Sequence, residues 1–137
     1  MATFHLDLVA PDKLTFHGEV DQIDVPGLEG DFGVFAQHAP TVSLLRPGIV
    51  TVYAGGQQRK FVVMGGFIEV SPQGSVTVLA DSAATTEEFD RAALAARIAE
   101  MEATIKSMPQ DSLLDKAIER LDHFKQVNHH LQGTAMH

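Results

Sequence analysis

The stretch Ile49-Val-Thr-Val-Tyr-Ala-Gly-Gly-Gln-Gln-Arg-Lys-Phe-Val-Val63 sets two runs rich in β-branched and aromatic residues on either side of a glycine pair, the pattern of a β-hairpin with a short turn. Further along, Phe67-Ile-Glu-Val70 and Ser75-Val-Thr-Val-Leu-Ala80 flank Ser71-Pro-Gln-Gly74 and predict a second hairpin. Toward the N-terminus, Phe4, Leu6 and Leu8 alternate with polar residues. So do Leu14 and Phe16, Ile23 and Val25, and Val42 and Leu44, the period of half-buried strands. Short strands separated by frequent turn signals predict an antiparallel β-sandwich over residues 1–84.

At Asp81 the pattern changes. Thr85-Thr-Glu-Glu88 has the form of a capping box and predicts a helix start. Leu94, Ile98, Met101, Ile105 and Met108 follow in steps of four and three on one helical face, with Ala92, Ala96, Ala99 and Ala103 on the opposite face, so the two sides suit different partners. Ser107-Met-Pro-Gln-Asp111 interrupts the helix, because an interior proline removes a hydrogen bond and clashes with the preceding turn. A second helix is expected from near Ser112, with Leu113, Ala117, Leu121, Phe124, Val127 and Leu131 on one stripe and Gly133 as its stop. The fold class is therefore α+β in sequence order: a sandwich, then an antiparallel α-helical hairpin over residues 85–137. Few large apolar residues oppose the entropy of ordering this segment, so docking is expected to fix its position.

The 137 residues allow one domain with a small appendage, and 45% apolar with 20% charged residues is the composition of a folded globular chain. A formal charge of −8 argues against nucleic acid or an anionic membrane surface as partner. With no cysteine, disulfides, thiolate metal sites and cysteine nucleophiles are excluded, and a reducing compartment fits. No run approaches the ~20 apolar residues of a membrane span, so direct membrane insertion is not expected. Strand-like alternation from the first residues is the expected start of a mature chain.

Asp31-Phe32-Gly33 matches the magnesium-binding tripeptide of protein kinases but lacks every other kinase motif, and Gly27, Gly30 and Gly33 do not fit the dinucleotide fingerprint. Gly55-Gly56-Gln-Gln-Arg-Lys60 departs from phosphate-loop spacing and reads as a hairpin turn. Seven histidines raise the question of a metal, but His5 and His17 read as single strand residues and the adjacent His129 and His130 diverge on a helix, so no metal site is expected. No Gly-x-Ser-x-Gly elbow occurs, and no catalytic residue is assigned. The alternatives to an assembly subunit are a free-standing β binding module with a helical dimerisation tail and a small nucleotide-binding enzyme.

Val25-Pro-Gly-Leu-Glu-Gly-Asp-Phe-Gly-Val34, followed by His38-Ala-Pro40, Leu45-Arg-Pro-Gly48, Gly65-Gly-Phe67-Ile-Glu-Val70 and Val78-Leu-Ala-Asp81, closely resembles the ε subunit of bacterial F-type, proton-translocating ATP synthases. The resemblance extends over nearly the whole chain. It implies a non-catalytic central-stalk rotor subunit, peripheral on the cytoplasmic face of the bacterial inner membrane, without a cofactor. It implies the γ subunit and the c-subunit ring as partners of the sandwich, with contact to the α and β subunits through the hairpin. Ring-contact roles fall on Glu29, Asp31 and His38. Some members bind ATP through Ile/Leu-Asp-x-x-Arg-Ala. Here Phe89-Asp90-Arg91-Ala92 places the arginine ~200° from its position in that motif, so no nucleotide site is expected at Asp90 and Arg91. Inhibitory second helices are basic, whereas this one mixes Lys116, Arg120 and Lys125 with Asp115, Glu119 and Asp122, and weak inhibition of ATP hydrolysis is the expectation.

Overall fold

The 49–63 hairpin forms, but each arm runs well beyond its β-branched run. The computed structural model describes residues 2–135. Its strands are β1 (Phe4–Ala10), β2 (Lys13–Val20), β3 (Gln22–Val25), β4 (Phe32–Phe35), β5 (Thr41–Ala54), β6 (Gln57–Val70), β7 (Val76–Ala80) and β8 (Ala83–Thr85). Two helices follow, α1 (Arg91–Lys106) and α2 (Ser112–Ala135). Gly55 and Gly56, at φ of 59° and 80°, form the tight turn between β5 and β6, as a twisted two-residue hairpin loop requires.

The expected strands around Leu44 and Ile49 are one strand, and so are those around Phe61 and Phe67. β5 and β6 pair from Thr41↔Val70 to Ala54↔Gln57, with the register skipping Arg46 and Gly65. Pro47, Gly48, Gly65 and Gly66 therefore mark a corner and not a loop. The ladder groups lost there find other partners, as buried backbone must. Arg46 donates its N–H to the Pro26 carbonyl (3.0 Å), Asp81 donates to Gly65 (3.0 Å) and Met64 donates to Ser82 (3.1 Å).

This bent pair belongs to both layers of the sandwich. On one side β7, β1 and the edge strand β2 continue from the second half of β6; on the other, β3 and β4 continue from the second half of β5, and β8 lines the first half of β6. The sheet is antiparallel except where β1 runs parallel to β7, from Leu6↔Val76 to Val9↔Leu79. Leu6, Leu8, Val20, Ile23, Val34, Val50, Phe61, Val63, Ile68 and Val78 have no exposed surface and fill the space between layers.

The chain divides into two compact units, one ending at Glu88 and the other beginning at Phe89. The helix expected at Thr85 starts later. Thr85 belongs to β8, and its hydroxyl accepts the Glu88 N–H (3.2 Å) in an isolated turn. The actual N-cap is Asp90, whose carboxylate accepts the Ala93 N–H at 2.9 Å. Asp111 caps α2 by accepting from Leu113 (2.9 Å) and Leu114 (3.2 Å), beside the expected start. α2 does not stop at Gly133 but continues to Ala135. Leu94 and Ile98 on α1, with Leu121, Phe124, Val127 and Leu131 on α2, are buried, while the α1 alanines are exposed.

A Cβ on Gly66 would lie 2.1 Å from the Leu79 carbonyl oxygen, at a φ of 130° that L-residues avoid. Gly66→Ala is expected to destabilise the sandwich by about 3 kcal/mol or more, lowering its melting temperature by more than about 10 °C in circular dichroism. Gly55→Ala meets open space and should cost only about 1–2 kcal/mol. Equal losses would show that the corner does not limit the fold.

Candidate functional site

The 25–40 stretch folds into two turns on either side of β4. In the first, Gly30 donates its N–H to the Gly27 carbonyl (3.1 Å), so Leu28 and Glu29 occupy the corners. Gly27 has no room for a side chain, because a Cβ would stand 2.4 Å from the Gly30 carbonyl oxygen and 2.9 Å from the Phe32 ring. Phe32 packs half-buried on the core. Asp31 lies just past the turn and is not its apex. Its carboxylate accepts from the Arg46 guanidinium, which also donates to the Gly27 carbonyl. The β5 corner thus ties both ends of the turn. Glu29 is exposed and has no hydrogen bond or ion pair among the described residues.

His38 occupies the second turn, after Gln37, the one non-glycine residue at positive φ (65°) among those described. Its Nδ1 faces the Ala39 carbonyl at 2.7 Å. A carbonyl can only accept, so Nδ1 carries the proton in this contact and Nε2 is left for an external partner. The ring lines an open cleft of about 600 Å³ with Thr3, His5, Glu19, Gln73 and Ser75. Asp31 and His38 therefore flank β4 at opposite ends and are not joined into one cluster. Asp90, the residue of the degenerate nucleotide motif, is occupied in capping α1.

The outer face holds what sequence periodicity obscured. Val42 and Leu44, expected to face the core, are 66% and 60% exposed, while Leu45 is buried. In the register Leu44 lies opposite Phe67, Phe67 opposite Leu79, Leu79 opposite Val9, and Val9 opposite Leu14. An apolar row thus crosses β5, β6, β7, β1 and β2, with Leu44, Phe67, Leu79 and Leu14 all exposed. Leu28 extends it, its N–H bonded to the Leu44 carbonyl (2.9 Å). Monomeric domains rarely leave such a row uncovered.

Polar groups also gather across strands. Asp24 accepts from Gln22 Nε2 (2.6 Å) and from the Tyr53 hydroxyl (2.7 Å), and this bond raises the phenol pKa above its ordinary value. Asp7 lies opposite His17, and His5 opposite Glu19. The His17 hydrogen bond (2.6 Å) holds the Asp7 carboxyl below the usual carboxylate value, against partial burial, which acts the other way. His5 and His17, which read as isolated in sequence, are thus neighbours through strand register.

Residues 3–86 match the family model described as the ATP synthase delta/epsilon chain β-sandwich domain. The class is thereby set as a β-sandwich subunit of an ATP synthase, structural and regulatory and not catalytic. Over all 137 residues, and over the full length of each relative, the chain is 61% identical to the ATP synthase epsilon chain of Nitrobacter winogradskyi and 58% identical to that of Rhodopseudomonas palustris strain BisA53. The chain belongs to the ATP synthase epsilon chain family. It also resembles a chain in the Euglena gracilis mitochondrial ATP synthase OSCP/F1/c-ring assembly, at 30% identity and TM-score 0.76, covering 100% of this chain and 83% of that one. A chain of the Tetrahymena thermophila mitochondrial ATP synthase central stalk and c-ring shares the fold at 14% identity and TM-score 0.61, covering 91% of this chain and 92% of that one.

Arg46 is the pin of the first turn. Arg46→Met is expected to speed hydrogen exchange at the Gly30 amide about tenfold, since a hydrogen bond from a charged group contributes about 1.5 kcal/mol or more. Arg46→Lys should restore little, because one ammonium does not reproduce the guanidinium fork. Unchanged Gly30 exchange in Arg46→Met would remove that role.

Proposed function

We propose that this chain is a central-stalk rotor subunit that couples c-ring rotation to the catalytic head through γ. The apolar row from Leu14 to Leu44 carries the reading. It is long, outward-facing and built from the ordered sheet, so a partner can bury it without refolding the sandwich. γ is the occupant this reading assigns to the row. Glu29, Asp31 and His38, on turns that leave hydrogen-bonding atoms exposed, are assigned to polar loops of the c ring, where charge complementarity fixes register more than it adds affinity. In this reading the chain is peripheral on the cytoplasmic face of the bacterial inner membrane; no helix among the described residues is long and apolar enough to cross one.

Weak inhibition is supported by how the hairpin uses its basic groups. Lys125 approaches Glu102 of α1 (4.0 Å), and the Arg120 guanidinium lies over the Phe124 ring (5.3 Å). Cations held by their own hairpin are poorly placed to recruit an acidic partner.

Leu44→Asp and Phe67→Asp place a charge where the partner would desolvate it. Each is expected to weaken co-purification with γ at least about tenfold while leaving the sandwich melting temperature within a few degrees. Undiminished capture of γ by both variants would refute the assignment. Deleting residues 89–137 is expected to change ATP hydrolysis by the assembled complex less than about twofold, a shift worth under ~0.5 kcal/mol. A large rise would establish the hairpin as an inhibitor.

A further inference from the structure

We propose that His5, Asp7 and His17, with Glu19 orienting His5, form a binding site for a first-row divalent metal ion, of the Zn²⁺ type, across β1 and β2. The four residues occupy alternate positions, His-x-Asp on β1 and His-x-Glu on β2, so all four point to the outer face. Antiparallel register sets each histidine opposite a carboxylate, His5 against Glu19 and Asp7 against His17. The donors converge on one point. His5 Nε2 stands 3.1 Å and His17 Nδ1 2.6 Å from the same oxygen, Asp7 Oδ1, and one ligand atom from each of the three residues falls within a 4.8 Å span.

Four donors held at about 2.1 Å from a tetrahedral ion stand roughly 3.4 Å apart, so small ring rotations convert this hydrogen-bonded cluster into a coordination shell. Glu19 lies behind His5 as its orienting partner, which leaves the fourth position of a tetrahedral ion to water. The Glu19 Oε2 is 3.6 Å from His5 Nδ1, and its Oε1 accepts from the Thr3 hydroxyl (3.3 Å), which orients the carboxylate. Two imidazoles with one carboxylate suit Zn²⁺, Co²⁺ or Ni²⁺ better than Mg²⁺ or Ca²⁺, which take oxygen ligands alone. Because β2 is an edge strand, the ion would tie that edge to β1 beside the apolar row, a role separate from rotor coupling.

The test titrates the metal-stripped full-length chain with Zn²⁺ against a chromophoric chelator, following imidazole nitrogens by NMR. One equivalent should bind, perturb the His5 and His17 rings together, and raise the melting temperature. Asp7→Asn and His17→Gln, both outward-facing changes, should each weaken binding at least about tenfold, whereas His129→Gln/His130→Gln should leave it unchanged. Absence of saturable binding below about 1 mM, retention of wild-type affinity in both β1–β2 variants, or loss of binding in the α2 variant would each overturn the proposal.

Discussion

A peptide oxygen, that of Leu79, occupies the space where Gly66 would carry a side chain, and this contact sets how sharply β6 can turn. β5 must follow, because the two strands are paired along nearly their whole length. On β5 the partner of Gly66 is Leu45, and three residues further on Gly48 has a Cβ position 2.6 Å from the Pro26 ring. The corner therefore draws the β3 end and the first turn of the 25–40 stretch onto β5. It also leaves Arg46 out of the ladder, free to reach Gly27 and Asp31. Layer formation, turn position and the Asp31 ion pair are consequences of one bend.

Much of this architecture is legible in the sequence because local chemistry and tertiary structure agree. β-branched runs around Gly55-Gly56 gave the central hairpin, and Pro109 gave the break between helices. Legibility fails where a local signal has two physical meanings. Pro47, Gly48, Gly65 and Gly66 resemble loop punctuation, yet a strand can absorb them as a corner when other carbonyls and amides take up its orphaned groups. Thr85 and Glu88 satisfy the spacing of a capping box, but strand pairing of β8 with β6 claims Thr85, and the cap passes to Asp90.

The outer face fails for a different reason. Alternation shows that Val42 and Leu44 share a side of their strand, but not whether that side meets the protein's own core or another chain's. Only the register, which carries the side through Phe67 and Leu79 to Val9 and Leu14, reveals a continuous row. The same limit hid His5 and His17: eleven intervening residues separate them in the chain, while β1–β2 pairing brings their ring centroids to 4.7 Å. Glu29, Asp31 and His38 are proposed as contact residues from motif likeness alone, but the link from Arg46 to Asp31 is not legible in the sequence, since nothing local ties it to a turn fifteen positions earlier.

The apolar row and the histidine–carboxylate cluster lie on adjacent rows of one sheet face. Asp7 pairs with Thr77, and their neighbours Val9 and Leu79 pair within the row. Along β1 the faces alternate, so Asp7 and Val9 share a side, and on β2 a register slip past Thr15 brings Leu14 onto that same side opposite Val9. Any partner seated on the row therefore meets β2 through Leu14, one residue from the start of that edge strand. An edge strand bonded on one side only is the least constrained part of such a surface, and cross-strand bonds through Asp7 and His17 restrain it where the row terminates. Surface shape and edge rigidity are thus set by the same two strands.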